Sequence, residues 1–142
     1  MLIDKKGNVV DHRISKTVIN VNRRMTYTAV NAIVELHDEA VMEEYKECVD
    51  MFYLMKEAAD ILRAKRKKRG SIDFNFPEAK IILDEKGVPI EIKPYERNDA
   101  TKIIEDFMLA ANETFAQDFF WRDIPFVYRT HETPDIEKIQ KL

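Results

Sequence analysis

Cysteine occurs once in the 142 residues, at Cys48, so no disulfide can form within the chain. That usage fits a reducing compartment. Glycine occurs three times, at Gly7, Gly70 and Gly87, each at an expected turn or helix end, which leaves no glycine-rich phosphate loop. No apolar run is long enough to span a bilayer, and no basic-then-apolar start resembles a signal peptide. The expected setting is the cytoplasm, with no membrane partner. His12, His37 and His131 have no ligand spacing to Cys48 or to one another, which speaks against a zinc site. No G-x-S-x-G or comparable nucleophile motif is present. The net charge of −3 excludes a uniformly basic nucleic-acid binder, although a local basic patch is still allowed.

Hydrophobic residues make up 45% of the chain and charged residues 35%, a balance that suits a folded domain rather than a disordered segment. Residues 2–5 and 8–20 read as two strands around a turn at Lys5-Lys6-Gly7-Asn8, with Val9, Val10, Ile14, Val18, Ile19 and Val21 supplying β-branched side chains. Thr26 or Thr28 is placed to cap a short helix that runs to about Leu36. One long helix is expected over residues 39–69. Val41, Tyr45, Cys48, Phe52, Met55, Ala59 and Leu62 recur in steps of four and three, giving a narrow apolar seam of coiled-coil type. Its start is acidic and its end basic, which complements the helix dipole, and Gly70 fits the C-cap. A non-helical arm, Ser71 to Pro77, precedes a hairpin of Ala79 to Leu83 and Val88 to Lys93. A helix from Arg97 to Phe120, a short strand near Phe126 to Arg129 and a last helix with Thr133 as N-cap and Pro134 in its first turn complete the reading. The expected class is α+β: helix-rich, with two short hairpins and long amphipathic helices.

The Arg97–Phe120 helix carries two sets of polar residues. At roughly 100° per residue, Lys102, Asp106 and Glu113 share one stripe, expected to be solvated. Glu105 and Asn112 share another, seven residues apart, with Met108 and Leu109 on either side. A carboxylate between apolar neighbours needs a partner. Glu105 and Asn112 could hold a sugar hydroxyl, a base edge or, for the carboxylate, a metal. Alternatively they are satisfied by main chain or by Arg97. The basic run at 63–69 suits either phosphate contact or a solvated helix end. Phe74 and Phe76, beside that run, suit either base stacking or burial.

Five stretches in order carry a family resemblance over essentially the whole chain. Ile3-Asp4-Lys5-Lys6-Gly7-Asn8-Val9 is similar to an "ID-x-x-G" hairpin, and Arg24-Met25-Thr26-Tyr27-Thr28-Ala29-Val30 to "R-(L/M)-T-Y-x-x-V". Arg66-Lys67-Lys68-Arg69-Gly70-Ser71-Ile72-Asp73-Phe74 resembles "R-x-x-R-G-(A/S/G)-I-x-F". Glu78-Ala79-Lys80 and the helix through Asn112 resemble "E-A-K" and "I-E-(E/D)-x-M-(L/I)-x-A-N". Together they resemble the ribonuclease R branch of the RNase II (RNB) exoribonuclease superfamily. The resemblance implies Mg²⁺-dependent degradation of RNA from its 3′ end, with single-stranded RNA and the remaining parts of an RNB domain as partners, and no DNA. It implies that residues 1–142 are a partial catalytic domain. The acidic metal-binding cluster would lie upstream, and the later arginine-bearing segment and the cold-shock and S1 modules would be absent. No catalytic or metal-ligating residue is then expected in this chain, and no metal bound to it. Phe74 would stack on bases near the 3′ end, and Glu105 would contact the terminal nucleotide. Asn112 occupies a recurrent asparagine position. Arg66, Lys68 and Arg97 complete the expected RNA contacts. Where relatives often carry histidine or glutamate after "R-N-x-A", this chain has Thr101. Two further readings are a helical interaction module docking through Val41, Phe52 and Leu62, and an RNA-binding module dependent on Lys65, Arg66 and Lys68.

Overall fold

A computed structural model describes residues 1–72, 79–94 and 97–139. The order of elements is β1 (Leu2–Ile3), β2 (Val9–Asp11), α1 (Tyr27–Val34), α2 (Glu39–Glu44), α3 (Lys46–Lys68), β3 (Ala79–Leu83), β4 (Pro89–Pro94), α4 (Asp99–Trp121) and α5 (Ile136–Ile139). The fold is α+β, with two separate antiparallel pairs, β1–β2 and β3–β4.

Both hairpins turn by the same device. In the first, Asp4 Oδ1 accepts from the main-chain N–H groups of Lys6 and Asn8, each at 2.8 Å. In the second, Asp84 Oδ1 accepts from Lys86 and Val88 at 2.8 and 2.9 Å. An aspartate that mimics a turn's own backbone, followed by a glycine at positive φ, closes each loop. Gly7 (φ +77°) is doubly constrained, because a Cβ there would lie 3.3 Å from Ile61 Cγ2 on α3. The strand expected over 8–20 ends at Asp11. Beyond it, among the described residues, no hydrogen bond engages the main chain of residues 13–25, so those β-branched residues find no ladder there.

Thr26 caps α1, its side chain accepting from Ala29 N at 3.2 Å. The expected helix over 39–69 is two helices. Tyr45, at φ −115° and ψ 29°, ends α2 and starts α3. The apolar seam survives the break, since Val41, Tyr45, Cys48 and Met55 all pack against the buried cluster of Ile33, Val34 and Phe52. The seam is therefore used inside the chain, and Phe52, at 4% exposure, has no room for a partner helix. At the end of α3, Ser71 N–H reaches Arg66 O and Gly70 N–H reaches Lys67 O, with Gly70 at φ +99°. That pair of bonds is the Schellman closure for which glycine is favoured. Toward the C-terminus the expected strand at Phe126 does not form. Phe126 instead packs on Phe119 of α4, with ring centroids 4.7 Å apart. The last helix is capped by Asp135, which accepts from Glu137 N, and not by Thr133.

Helices α3 and α4 run in the same direction, joined by ion pairs along their length. Lys56 meets Asp99 at 2.8 Å, Arg63 and Arg66 meet Asp106 at 2.6 Å each, and Arg69 meets Glu113 at 2.6 Å. Asp99, Asp106 and Glu113 are spaced by sevens along α4. Helix α1 lies against both helices, and Ala59, Ala100 and Ile103 complete the buried hydrophobic set among the described residues.

The ladder makes a prediction about acid. The hydrogen bond from Lys56 holds the Asp99 carboxyl below its ordinary value of 3.8, and that from Arg69 holds Glu113 below 4.5. A depressed carboxylate contributes stability above its unfolded pKa and loses it as pH falls through the folded one. The chain is therefore expected to be less stable at about pH 3 than at about pH 6, with these two pairs contributing about 1 kcal/mol together after solvent screening. Urea titrations of the parent and of the Asp99→Asn/Glu113→Gln variant check this. The variant's stability should vary less with pH, and an equal slope would rule the pairs out as the cause.

Candidate nucleic-acid interface

Helix α4 presents its polar residues to two different environments. It starts with a reciprocal cap, in which Asn98 Oδ1 accepts from Thr101 N at 3.0 Å and Thr101 Oγ1 accepts from Asn98 N at 3.1 Å. This fixed start places Arg97 immediately outside the first turn. From there its guanidinium reaches two turns up the helix to Glu105. Nη2 donates to Oε2 at 2.9 Å and to Oε1 at 3.1 Å, and Nε donates to Oε2 at 3.2 Å. The Glu105 side chain remains 42% exposed and that of Arg97 25%. A carboxylate that is fixed in direction yet open to solvent can still accept hydrogen bonds from a ligand. Asn112 and Met108 are exposed further along the helix.

Asp106 is one residue, and so roughly 100°, away from Glu105. Of the stripe expected in solvent, Asp106 and Glu113 meet arginines of α3, with the Glu113 side chain still 46% exposed, and Lys102 pairs with Asp99 on its own helix. Asp106 is 2% exposed. Arg63 Nη2 donates to Oδ2 and Arg66 Nη1 donates to Oδ1, so each oxygen has its own guanidinium. A buried carboxylate is tolerable only when paired in this way. The sequence signal for it is the seven-residue spacing of Asp99, Asp106 and Glu113 matched against Lys56, Arg63 and Arg69 on α3.

The basic run 63–69 is therefore largely committed within the chain. Arg63 and Arg66 hold Asp106, Arg69 holds Glu113, and Lys65 Nζ donates to Gly7 O at 3.0 Å, seating the first hairpin on α3. Lys67 and Lys68 are exposed, with no ion pair among the described residues. Of the six residues read as RNA contacts, the structure brings Glu105 and Arg97 together, leaves Asn112 and Lys68 exposed, and turns Arg66 inward toward Asp106. Phe74 lies outside the described residues, as does Phe76. The first hairpin is also tied to the far end of α4, where His12 Nε2 and Arg122 Nε both lie 2.9 Å from Asp118 Oδ1. The bond from His12, then that from Arg122, holds the Asp118 carboxyl below 3.8.

Fold and site together define a helix-rich α+β unit with a half-open carboxylate–guanidinium pair on one face of its last long helix. Residues 1–142 match the family model for the RNB domain, and the chain belongs to that family. It is 46% identical over 141 residues to ribonuclease R 1 of Lactococcus lactis subsp. lactis, covering 99% of this chain and 17% of the relative. It is 45% identical over 143 residues to ribonuclease R of Thermotoga maritima, covering 100% and 20%. Among the similar solved structures are two of Mycoplasma genitalium RNase R, each at 32% identity and a TM-score of 0.61. One is a complex with ribose methylated single-stranded RNA, covering 80% of this chain and 17% of that one. The other is a complex with double-stranded RNA, covering 81% and 20%. The chain spans about a fifth of the length of the curated relatives it matches.

The different surroundings of Arg66 and Lys68 separate under mutation. Arg66→Ala leaves a buried carboxylate with one guanidinium and is expected to lower unfolding stability by about 2–3 kcal/mol. Lys68→Ala should stay within about 0.5 kcal/mol of the parent. Urea titration of both decides it, and equal losses would contradict the assignment.

Proposed function

We propose that this chain forms part of the catalytic domain of a 3′–5′ exoribonuclease of the ribonuclease R type. The parent reaction is hydrolysis of RNA phosphodiester bonds to nucleoside 5′-monophosphates. In this reading, Glu105 orients the last nucleotide of a single-stranded 3′ end. Arg97 fixes the direction of its carboxylate, so the glutamate acts through positioning. Asn112 and Lys68 extend the contact along the strand, Lys68 as a phosphate counter-charge, and Phe74 stacks on a base. Arg66 acts behind the surface, through Asp106. The observation that carries this reading is the Glu105 carboxylate, held by Arg97 yet 42% exposed, in a chain that belongs to the RNB family along its whole length.

Magnesium belongs to the parent reaction in this proposal. Among the described residues no three His, Cys, Asp or Glu side chains converge as metal ligands, and both oxygens of Asp106 are taken by arginine. The described residues do not fit such an ion. Among the described residues no helix is long and apolar enough to cross a membrane. The single cysteine suits the cytoplasm, where we place the protein.

Two preparations test the proposal. The chain alone, with Mg²⁺, should leave a 5′-labelled single-stranded RNA intact, and processive shortening that depends on Glu105 would contradict it. In a chimera, this chain replaces the 143-residue stretch of the Thermotoga relative aligned with it. The chimera should shorten the RNA from its 3′ end. There Glu105→Ala is expected to lower kcat/KM by roughly 10²-fold with an unchanged thermal midpoint. An unchanged kcat/KM would remove Glu105 from the site.

A further inference from the structure

We infer that the cleft where the first hairpin, α3 and α4 meet binds a phosphate dianion, carried by inorganic phosphate or by a nucleoside 5′-monophosphate. The cleft has a volume of about 270 Å³ and is lined from three sides. Gly7 comes from the hairpin turn, Lys65, Arg66 and Arg69 from α3, and Asp106 and Glu113 from α4. A space of that size suits a small ligand better than a strand of nucleic acid. It lies on the side of α4 that meets α3, and Glu105 is roughly 100° around the helix from Asp106. The cleft is thus separate from the Glu105 surface and does not depend on the exoribonuclease reading.

Charge and spare donors identify the ligand. Three cations line the cleft against two carboxylates, and one of these, Asp106, gives its second oxygen to Arg63, which lies outside the lining. Lys65 is bound only to the main-chain oxygen of Gly7, which carries no charge to cancel its own. The cleft is therefore left positive, and a phosphate monoester carries about −1.5 to −2 at neutral pH. The hydrogen bond from Arg69 holds the Glu113 carboxyl below its ordinary value, and the charges of Arg69, Arg66 and Lys65 add to it, so all three cations act at one point. Among the described residues, Lys65 donates one bond, Arg66 one and Arg69 two. Each has more N–H groups than these bonds use. The exposed Gln117 carboxamide also lines the cleft, with no hydrogen bond among the described residues. Glu113 is 46% exposed, so exchanging its bond to Arg69 for one to phosphate costs little. The arginine fork matches phosphate oxygens as well as it matches a carboxylate.

An NMR titration of the chain with inorganic phosphate, at an ionic strength held constant with sodium chloride, tests the inference. The amide signals of Gly7, Ala110 and Gln117 should shift and saturate with a Kd on the order of 1 mM. Gln117→Glu places a negative charge in the open lining and should weaken binding by about 10-fold, while Gln117→Lys should tighten it. Gln117 is exposed, so both variants should keep the parent's thermal midpoint. Lys46→Gln removes the same net charge from the far end of α3, well beyond the screening length, and should leave the Kd within about twofold of the parent's. Adenosine 5′-monophosphate that binds as phosphate does identifies the phosphate group alone as the ligand. Tighter binding of the monophosphate, with adenosine inert, identifies a nucleotide. Shifts that do not saturate overturn the inference, as does a loss of affinity in Lys46→Gln equal to that in Gln117→Glu. Adenosine that binds as well as its monophosphate overturns it too. So does single-stranded RNA that shifts these signals while inorganic phosphate leaves them unmoved. None of these readouts involves RNA cleavage, so each stands whatever becomes of the proposed reaction.

Discussion

The carboxylate of Asp106 is the point on which the helical part of this chain depends. It is 2% exposed and has one arginine on each oxygen at 2.6 Å. Removing a carboxylate from water costs several kcal/mol unless the lost hydration is replaced. Two charge-assisted bonds replace it here, and they also fix geometry. Arg63 and Arg66 lie on adjacent turns of α3, so Asp106 can sit between them at only one axial offset of α4. Lys56–Asp99 below and Arg69–Glu113 above repeat that offset. An ion-pair ladder of this kind specifies register more than it adds stability.

Register then decides what the other side of α4 shows. Turning Asp106 toward α3 leaves Glu105 roughly 100° around the helix, on the side that Arg97 can reach. The two adjacent acids thus have different roles: one is closed off between helices, and the other is held but open to solvent. The same economy governs the basic end of α3. Its arginines are used against α4 and its Lys65 against the first hairpin, leaving Lys67 and Lys68 as the charges of that run with no ion pair among the described residues. A basic stretch that looks uniform in sequence is, in three dimensions, mostly internal wiring.

Local chemistry was the legible part of the sequence. Both hairpin turns, the Gly70 closure and the apolar seam through Phe52 and Ala59 depend on neighbours a few residues away and could be read, and Thr26 was one of two cap candidates. The motif order pointed to the RNB family for the same reason. What could not be read depended on distant partners. The β-branched run after Asp11 looks like a strand, but a strand needs an edge that the described residues do not supply. Asp106 looks solvated until α3 is placed beside it, although its seven-residue spacing from Asp99 and Glu113 held the clue. The break at Tyr45 is invisible to a periodicity that passes through it unchanged. The Glu105–Arg97 pair was one of two readings, since the sequence cannot say whether a carboxylate's partner is internal or a ligand. The structure supplies an internal partner and leaves the carboxylate exposed.

The central claim is that the Asp106 fork, and not packing alone, couples α3 to α4. A double-mutant cycle of Arg63→Ala and Asp106→Ala, read by urea unfolding, measures that coupling directly. The exposed pair Lys46–Glu43 serves as the comparison. The account predicts an interaction energy of about 2 kcal/mol for the buried pair and under about 0.5 kcal/mol for the exposed one. Additive losses at Arg63 and Asp106 would contradict it.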